Sequence, residues 1–378
     1  MQLNEEHLLI QETARRFAAE RLAPNAEQWD RDAHFPRDAL AEMGELGLMG
    51  ILVPEDEGGA GADFISYALA LAEIAGGDGG VSTTMAVQTL TSTCLLKFAN
   101  TDQKKRFLPD LAAGKTLGAF LLTEPQTGSD AGAITCKAKK DGNQYVLSGT
   151  KQFITTGKNA DVAVVFAVTD PDAGSRGISA FIVPTGTPGY KVARIEHKLG
   201  QKTSDTAQIM LDDVKLPPDL LLGEEGEGYK IALSNLEGGR VGIAAQSVGF
   251  AEAAFRAART YALERTTFGK RIIDHQAIGF KLAEMATGIE AGRQLMLNAA
   301  RLMSEGEPCL KEASMAKLFC SEMAERVCSD AIQVHGGYGY LSDFPVERIY
   351  RDARVCQIYE GTSEVQKLVI SRAIREAG

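Results

Sequence analysis

Glu360, in QIYEGTSEVQ, stands just before a stretch of helical periodicity. A carboxylate so placed is, taken alone, most simply an acid near a helix N-terminus, where the macrodipole favours negative charge by about 0.3–1 kcal/mol. Thr123 and Ser129 share the segment FLLTEPQTGSDAGA with Pro125 and Gly128, where free backbone amides suit a polar ligand edge and a phosphate. In KQFITTG, Phe153 precedes Thr155 by two residues, so on a strand both face one side and a planar ligand has a surface to lie on. Arg240 and Arg265 are cations available to a local anion. Taken alone, each segment is more readily a turn, a core phenylalanine, a helix end or a surface charge.

Other chemistries find no support. The five histidines are scattered without an HExxH pair, and the six cysteines contain no CxxC, so no metal is expected and the thiols read as buried groups in a reducing compartment. Gly59-Ala-Gly61, Gly226-Glu-Gly228 and Gly337-Tyr-Gly339 lack the third glycine of GxGxxG, and Ser129 lacks the GxSxG register of a hydrolase nucleophile. The net charge of −10 leaves no general basic field for nucleic acid. The longest uncharged run, 79–96, carries too many Ser and Thr for a membrane span.

These groups must be positioned by a chain of 378 residues, enough for about two or three domains. Residues 1–118 read as capped amphipathic helices, with Asn4, Pro36, Asp63 and Thr101 at their starts, joined by short linkers as in an antiparallel bundle. Between 119 and 225 short apolar runs such as VAVVFAV and GISAFIVP alternate with turn clusters, a small β domain. From 226 to 378 long helical periodicity returns. The three blocks carry net charges of −8, −2 and 0, so the acidity sits in the first. The α, β, α order makes the chain α+β and argues against a parallel-sheet fold. The opening MQLNEEHLLIQETARRF reads as a helix, not a signal peptide, so a bacterial-type cytoplasmic chain is expected, or a mitochondrial matrix protein if it is a processed form.

In this order and at these separations, LTEPQTGSDAGA, KQFITTG, RTTFGKRIIDHQAIGFKLAEM, QVHGGYGYLSDFPVERIYRDAR and QIYEGTSEVQ resemble the acyl-CoA dehydrogenase family over essentially the whole chain, with its short-chain and short-branched-chain subgroup the most similar. The resemblance implies an N-terminal helical bundle, a middle antiparallel β-barrel-like domain and a C-terminal four-helix bundle. It implies FAD-dependent α,β-dehydrogenation of an acyl-CoA to the trans-2-enoyl-CoA, with Glu360 as the base and electrons passed to an electron-transferring flavoprotein.

For FAD, the resemblance points to Phe120, Leu122, Thr123, Gly128, Ser129, Phe153, Ile154 and Thr155 in one subunit. Across a dimer interface it points to Arg265, Phe268, Gln276, Gln333, Gly336 and Gly337, with Thr362 and Glu364 near the adenosine half. A homotetramer, a dimer of dimers, is the family expectation. For substrate it implies Ser129, Glu237, Arg240, Tyr359 and Gly361, although relatives often carry Asp where Glu237 stands. Some branches of the family place their base at the position of Gly239; with no acid there, Glu360 is the only sensible base. Residues 85–90 are expected at the pocket floor, and acyl groups of about C4 to C6 are expected, straight or methyl-branched. The rival readings are an oxygen-using oxidase on the same scaffold and a non-catalytic helical binding protein.

Overall fold

The computed structural model describes residues 3–376. Six helices come first: α1 (Glu5–Phe17), α2 (Ala26–Asp32), α3 (Arg37–Glu45), α4 (Phe64–Gly77), α5 (Gly79–Phe98) and α6 (Thr101–Ala112). Their starts follow local chemistry. Asn4 and His7 form a reciprocal capping box, and Asp63 and Asp78 cap α4 and α5. At α6 the cap is Asn100, paired with Gln103, one residue earlier than Thr101. The uncharged run forms α5, buried along most of its length. Several of its hydroxyls are satisfied within the helix: those of Thr84, Thr89 and Thr93 donate to the carbonyls four residues back at 3.1, 3.0 and 2.8 Å. No helix among the described residues is long and apolar enough to cross a membrane.

The middle of the chain is one sheet of eight strands: β1 (Gly118–Leu121), β2 (Lys137–Asp141), β3 (Gln144–Thr155), β4 (Val162–Val168), β5 (Ile178–Pro184), β6 (Tyr190–Ile195), β7 (Thr206–Leu216) and β8 (Leu221–Leu222). The order is β6-β7-β3-β2-β4-β5-β8 with β1 pairing β4, so the sheet is open rather than a closed barrel. Most pairs are antiparallel, but β1 and β2 each run parallel to β4. The continuous apolar runs VAVVFAV and ISAFIVP are buried in the centre, while the exposed β6 forms an edge.

The last block comprises α7 (Gly228–Glu264), a hairpin of β9 (Thr266–Thr267) and β10 (Lys270–Arg271), α8 (Gln276–Ser304), α9 (Leu310–His335), α10 (Pro345–Ala353) and α11 (Ser363–Glu376). The two helical blocks do not keep separate cores. One apolar cluster runs from α1 and α4 through α7, α8 and α9, and a second joins the sheet to the ends of α5 and α6 and the start of α7. A polar junction ties all three blocks: Gln201, from the loop before β7, accepts from Thr83 at 2.7 Å and donates to the Asp352 carbonyl at 3.0 Å, while Thr203 donates to Asp78 at 2.5 Å. Burial, with Asp78 nearby, pushes the Asp352 carboxyl up to about 7.

Candidate active site

Glu360 lies on a left-handed turn between α10 and α11, with φ 55° at Glu360 and 90° at Gly361. Position 361 favours glycine because its φ of 90° is a conformation that side chains rarely adopt. A non-glycine residue in this conformation costs about 1–3 kcal/mol and persists only where its surroundings impose it. Here Gln366, fully buried on α11, donates to the carbonyls of Glu360 and Gly361 at 3.3 and 2.9 Å, and Lys317 Nζ donates to the Gly361 carbonyl at 2.7 Å. The Glu360 N–H has no protein acceptor among the described residues.

The turn seats the carboxylate against Gly239 on α7, where an added Cβ would lie 2.7 Å from Oε2 and 3.0 Å from Cδ. Oε2 is buried and accepts no hydrogen bond, and beside it Arg240 holds Nε and Nη1 buried and equally unpartnered. Burial pushes the Glu360 carboxyl up to about 7, with the charges of Arg240 and Lys317 pulling it down. A carboxylate poised near neutrality, with its Oε2 buried and unpartnered, is suited to take a proton.

The pocket in front of Gly239 is lined by Phe64 and Tyr67 of α4, Ala86, Thr89 and Leu90 of α5, and Gly238. Positions 86, 89, 90 and 93 line it because they share one helix face; Met85 lies instead in the core. One wall is closed by a polar bridge. Thr93 Oγ1 lies 3.1 Å from Asn235 Oδ1, and Asn235 Nδ2 donates to the Leu90 carbonyl at 2.6 Å.

The β-domain candidates come together through β3. Its register shifts between Lys151 and Ile154, a bulge that throws Phe153 into the left-handed region at φ 57° and leaves its ring 65% exposed. The exposed ring excludes a core role. Thr155 follows on the same face, half-buried, and the Gln152 N–H to Thr123 carbonyl bond at 2.9 Å brings Thr123 alongside. Leu122 and Ile154 point into the sheet's core, so only their backbones can serve a ligand. Phe120 packs on Phe166 with ring centroids 4.8 Å apart. Gly128 and Ser129 are exposed in the loop.

That loop is held by a pair the sequence reading did not single out. Lys151 Nζ lies 2.8 Å from Glu124 Oε1 and 3.0 Å from the Leu122 carbonyl, both side chains essentially without solvent contact. Lys317 was also overlooked. Its signal was a lysine in the apolar stripe of α9 shared by Ala313, Ala316, Cys320 and Ala324, all buried.

Other candidates lie elsewhere. Arg265, Gly336 and Gly337 line a second cleft between the end of α7 and the end of α9, and the Arg265 guanidinium sits 5.6 Å from the Tyr338 ring centroid. Phe268, at the hairpin tip, is 97% exposed, and Gln276 and Gln333 are exposed. No β-domain residue lines this cleft. Thr362 and the exposed Glu364 open α11. Glu237 accepts the Cys309 thiol at 3.5 Å. Tyr359 is half-buried beside Glu360, and its hydroxyl donates to Gln246 at 2.9 Å.

Family models for the N-terminal, middle and C-terminal domains of acyl-CoA dehydrogenase match residues 4–115, 119–214 and 226–375. The chain belongs to the acyl-CoA dehydrogenase family. An acyl-CoA dehydrogenase of Bacillus subtilis is 48% identical over 373 residues, 98% of each chain. Butyryl-CoA dehydrogenase from Megasphaera elsdenii superposes with a TM-score of 0.97 at 41% identity over 99% of each chain. A chain in the solved structure of the electron transferring flavoprotein of Acidaminococcus fermentans superposes at 0.98 and 45% identity, again over 99% of each chain.

In this acyl-CoA dehydrogenase the seat of the carboxylate gives a direct test. Gly239→Ala forces Glu360 off its position, so turnover is expected to drop by about 10²-fold, read by stopped-flow flavin reduction, with flavin content unchanged.

Proposed function

We propose that the chain dehydrogenates short-chain acyl-CoA thioesters at the α,β bond, uses FAD, and passes electrons to an electron-transferring flavoprotein. The observation that carries the reading is Glu360: a half-buried carboxylate near neutrality whose Oε2 is buried and unpartnered, held by a strained turn against Gly239, which lines the pocket. The butyryl-CoA relative and the electron transferring flavoprotein structure support the substrate class and the acceptor.

The residues present fit FAD. Phe153 offers an exposed flat ring, Thr123 and Thr155 offer hydroxyls beside it, and the loop of Gly128 and Ser129 offers free amides. The second cleft, with Arg265 and the exposed Phe268, supports a flavin site completed by a neighbouring subunit and hence a homo-oligomer, a tetramer in this reading. Bound FAD supplies a hydride acceptor for the β-hydrogen. Glu360 removes the α-proton. Its free backbone N–H is placed to hold the thioester oxygen on which negative charge develops; one such donor is worth about 3–4 kcal/mol in related sites. Phe64, Tyr67 and Leu90 exclude water from the acyl chain, and Thr93 and Asn235 close the wall that limits its length. A cytoplasmic location belongs to the same proposal, and near-complete coverage of a bacterial relative supports it.

The test is anaerobic bleaching of the flavin by butyryl-, isobutyryl-, 2-methylbutyryl-, isovaleryl-, hexanoyl- and octanoyl-CoA. Bleaching by the C4 to C6 members and not by octanoyl-CoA is expected. A colourless protein that takes up no FAD, or flavin untouched by every thioester, sinks the reading. Peroxide release in air matching the rate with an artificial acceptor would make it an oxidase.

A further inference from the structure

Lys317 has no measurable solvent exposure. Lysine is almost never fully buried unless paired, and an ammonium taken out of water costs several kcal/mol. Yet Lys317 makes no ion pair within 4 Å among the described residues, and its single hydrogen bond goes to the Gly361 carbonyl, 44 residues away in sequence. The surrounding stripe of α9 is small and apolar, so a methionine would satisfy packing there without that cost. Retention of a charge at this position therefore points to what the charge touches.

We propose that Lys317 is a positioning residue for the base: its ammonium grips the Gly361 carbonyl, locks the left-handed Glu360–Gly361 turn, and sets a fixed positive charge behind the Glu360 carboxylate. This rests on the reading of Glu360 as the base of an acyl-CoA dehydrogenase.

The clamp has a clear mechanical role. Glu360 occupies a conformation that its Cβ disfavours, and of the two side chains that hold the turn's carbonyls, Gln366 comes from the helix that the turn itself begins. Of the two, only Lys317 comes from a separate element, the long α9. The charged groups facing Glu360 are Arg240 from α7 and Lys317 from α9, with the Tyr67 phenol from α4. Around Lys317 the opposing groups are Cys356, Glu360 and Glu364, which favour its charge, and Arg240, which disfavours it. Burial pulls Lys317 down to about 8, which still leaves it mainly protonated at neutral pH. With Lys317 charged, Glu360 is eased toward the carboxylate; without it, Arg240 alone opposes burial.

The experiment compares K317M, which removes clamp and charge, K317Q, which keeps a donor for the carbonyl, and K317R, which keeps both. The Glu360 carboxyl is titrated by isotope-edited infrared difference spectroscopy, each protein against its own E360Q counterpart, so that this readout needs no substrate. The flavin reduction rate with butyryl-CoA is then followed against pH. Loss of the nearby charge is expected to raise the Glu360 midpoint by about one pH unit or more in K317M and K317Q. Flavin reduction at pH 7 should fall about tenfold in K317M and recover as pH rises, with K317R close to wild type. K317Q should regain more of the high-pH rate than K317M, because it retains a donor to the turn. An unmoved midpoint, or a loss of rate equal at every pH, overturns the assignment. If wild type is not bleached by any acyl-CoA while the midpoint moves as expected, the substrate reading fails and the placement of Lys317 stands. Should K317M not fold, K317Q carries the same titration.

Discussion

Glu360→Gln is expected to leave a folded, yellow protein whose flavin is reduced by butyryl-CoA about 10²–10⁴-fold more slowly than wild type, the range set by loss of one positioned general base. The substitution keeps the shape of the side chain, so the left-handed turn and its hydrogen bonds to Gln366 and Lys317, which all involve backbone carbonyls, remain. What disappears is the lone pair that takes the α-proton. No other carboxylate lines the pocket, and the position beneath Glu360 is glycine, so nothing nearby substitutes for it. The pH dependence follows with a definite sign. Because burial holds the Glu360 carboxyl up near 7, the base is protonated and idle on the acid side. Wild-type kcat/KM should therefore fall about tenfold per pH unit below that value and level off above it, since kcat/KM reports groups of the free enzyme. A pH-independent kcat/KM between 5 and 8, or an E360Q variant with wild-type rates, contradicts the assignment of Glu360.

The second large effect is structural. Lys151→Met should destabilise the β domain by about 3–5 kcal/mol, the usual cost of leaving a buried charge without its partner. Glu124 is 3% exposed and would keep its bonds from Thr135 N at 2.7 Å, Cys136 N at 3.0 Å and Gln126 Nε2 at 2.7 Å, but lose its only cation. Burial pushes the Glu124 carboxyl up, and the Lys151 charge with the N–H donors outweighs this, so it sits below the usual carboxylate range. A depressed carboxylate contributes stability above its unfolded value and loses that contribution as pH falls through the folded one. The deficit of K151M should therefore be large at neutral pH and shrink in acid, where Glu124 protonates. Calorimetric scans at pH 8 and at about pH 3, below the usual carboxylate range, check the sign. The double variant K151M/E124Q should recover part of the loss, because the two groups are coupled. Flavin retention in K151M should fall as well, since Lys151 ties the carbonyl of Leu122, next to Thr123, to the strand that carries Phe153 and Thr155.

Much of this protein was legible from neighbouring residues. Asn4 and Asp63 announced helix starts because a cap needs only a side chain three residues from an amide. The buried strands β4 and β5 announced themselves as apolar runs, and Glu360 was legible through its segment and the absence of an acid at 239. The open, mixed sheet was not. Parallel pairing of β1 with β4 joins Gly118 to Val162 across intervening strands, and nothing local to either segment encodes the direction of that pairing.

The site's support was hidden for the same reason. Tyr359 sits next to Glu360 in sequence, yet only the tertiary packing decides that its hydroxyl meets Gln246 of α7, 113 residues away. The common core of the first and third blocks brings the pocket face of α5 opposite Gly238 and Gly239 of α7, a relation no linear spacing contains. The sequence by itself determined which groups are able to do the chemistry, because identity, local strain and helical or strand periodicity are properties of short segments. Tertiary structure alone decided which of them are desolvated and what faces them. The carboxyl of Glu360 becomes a base near neutrality, and the ammonium of Lys317 a clamp, only when segments far apart in the chain exclude water between them.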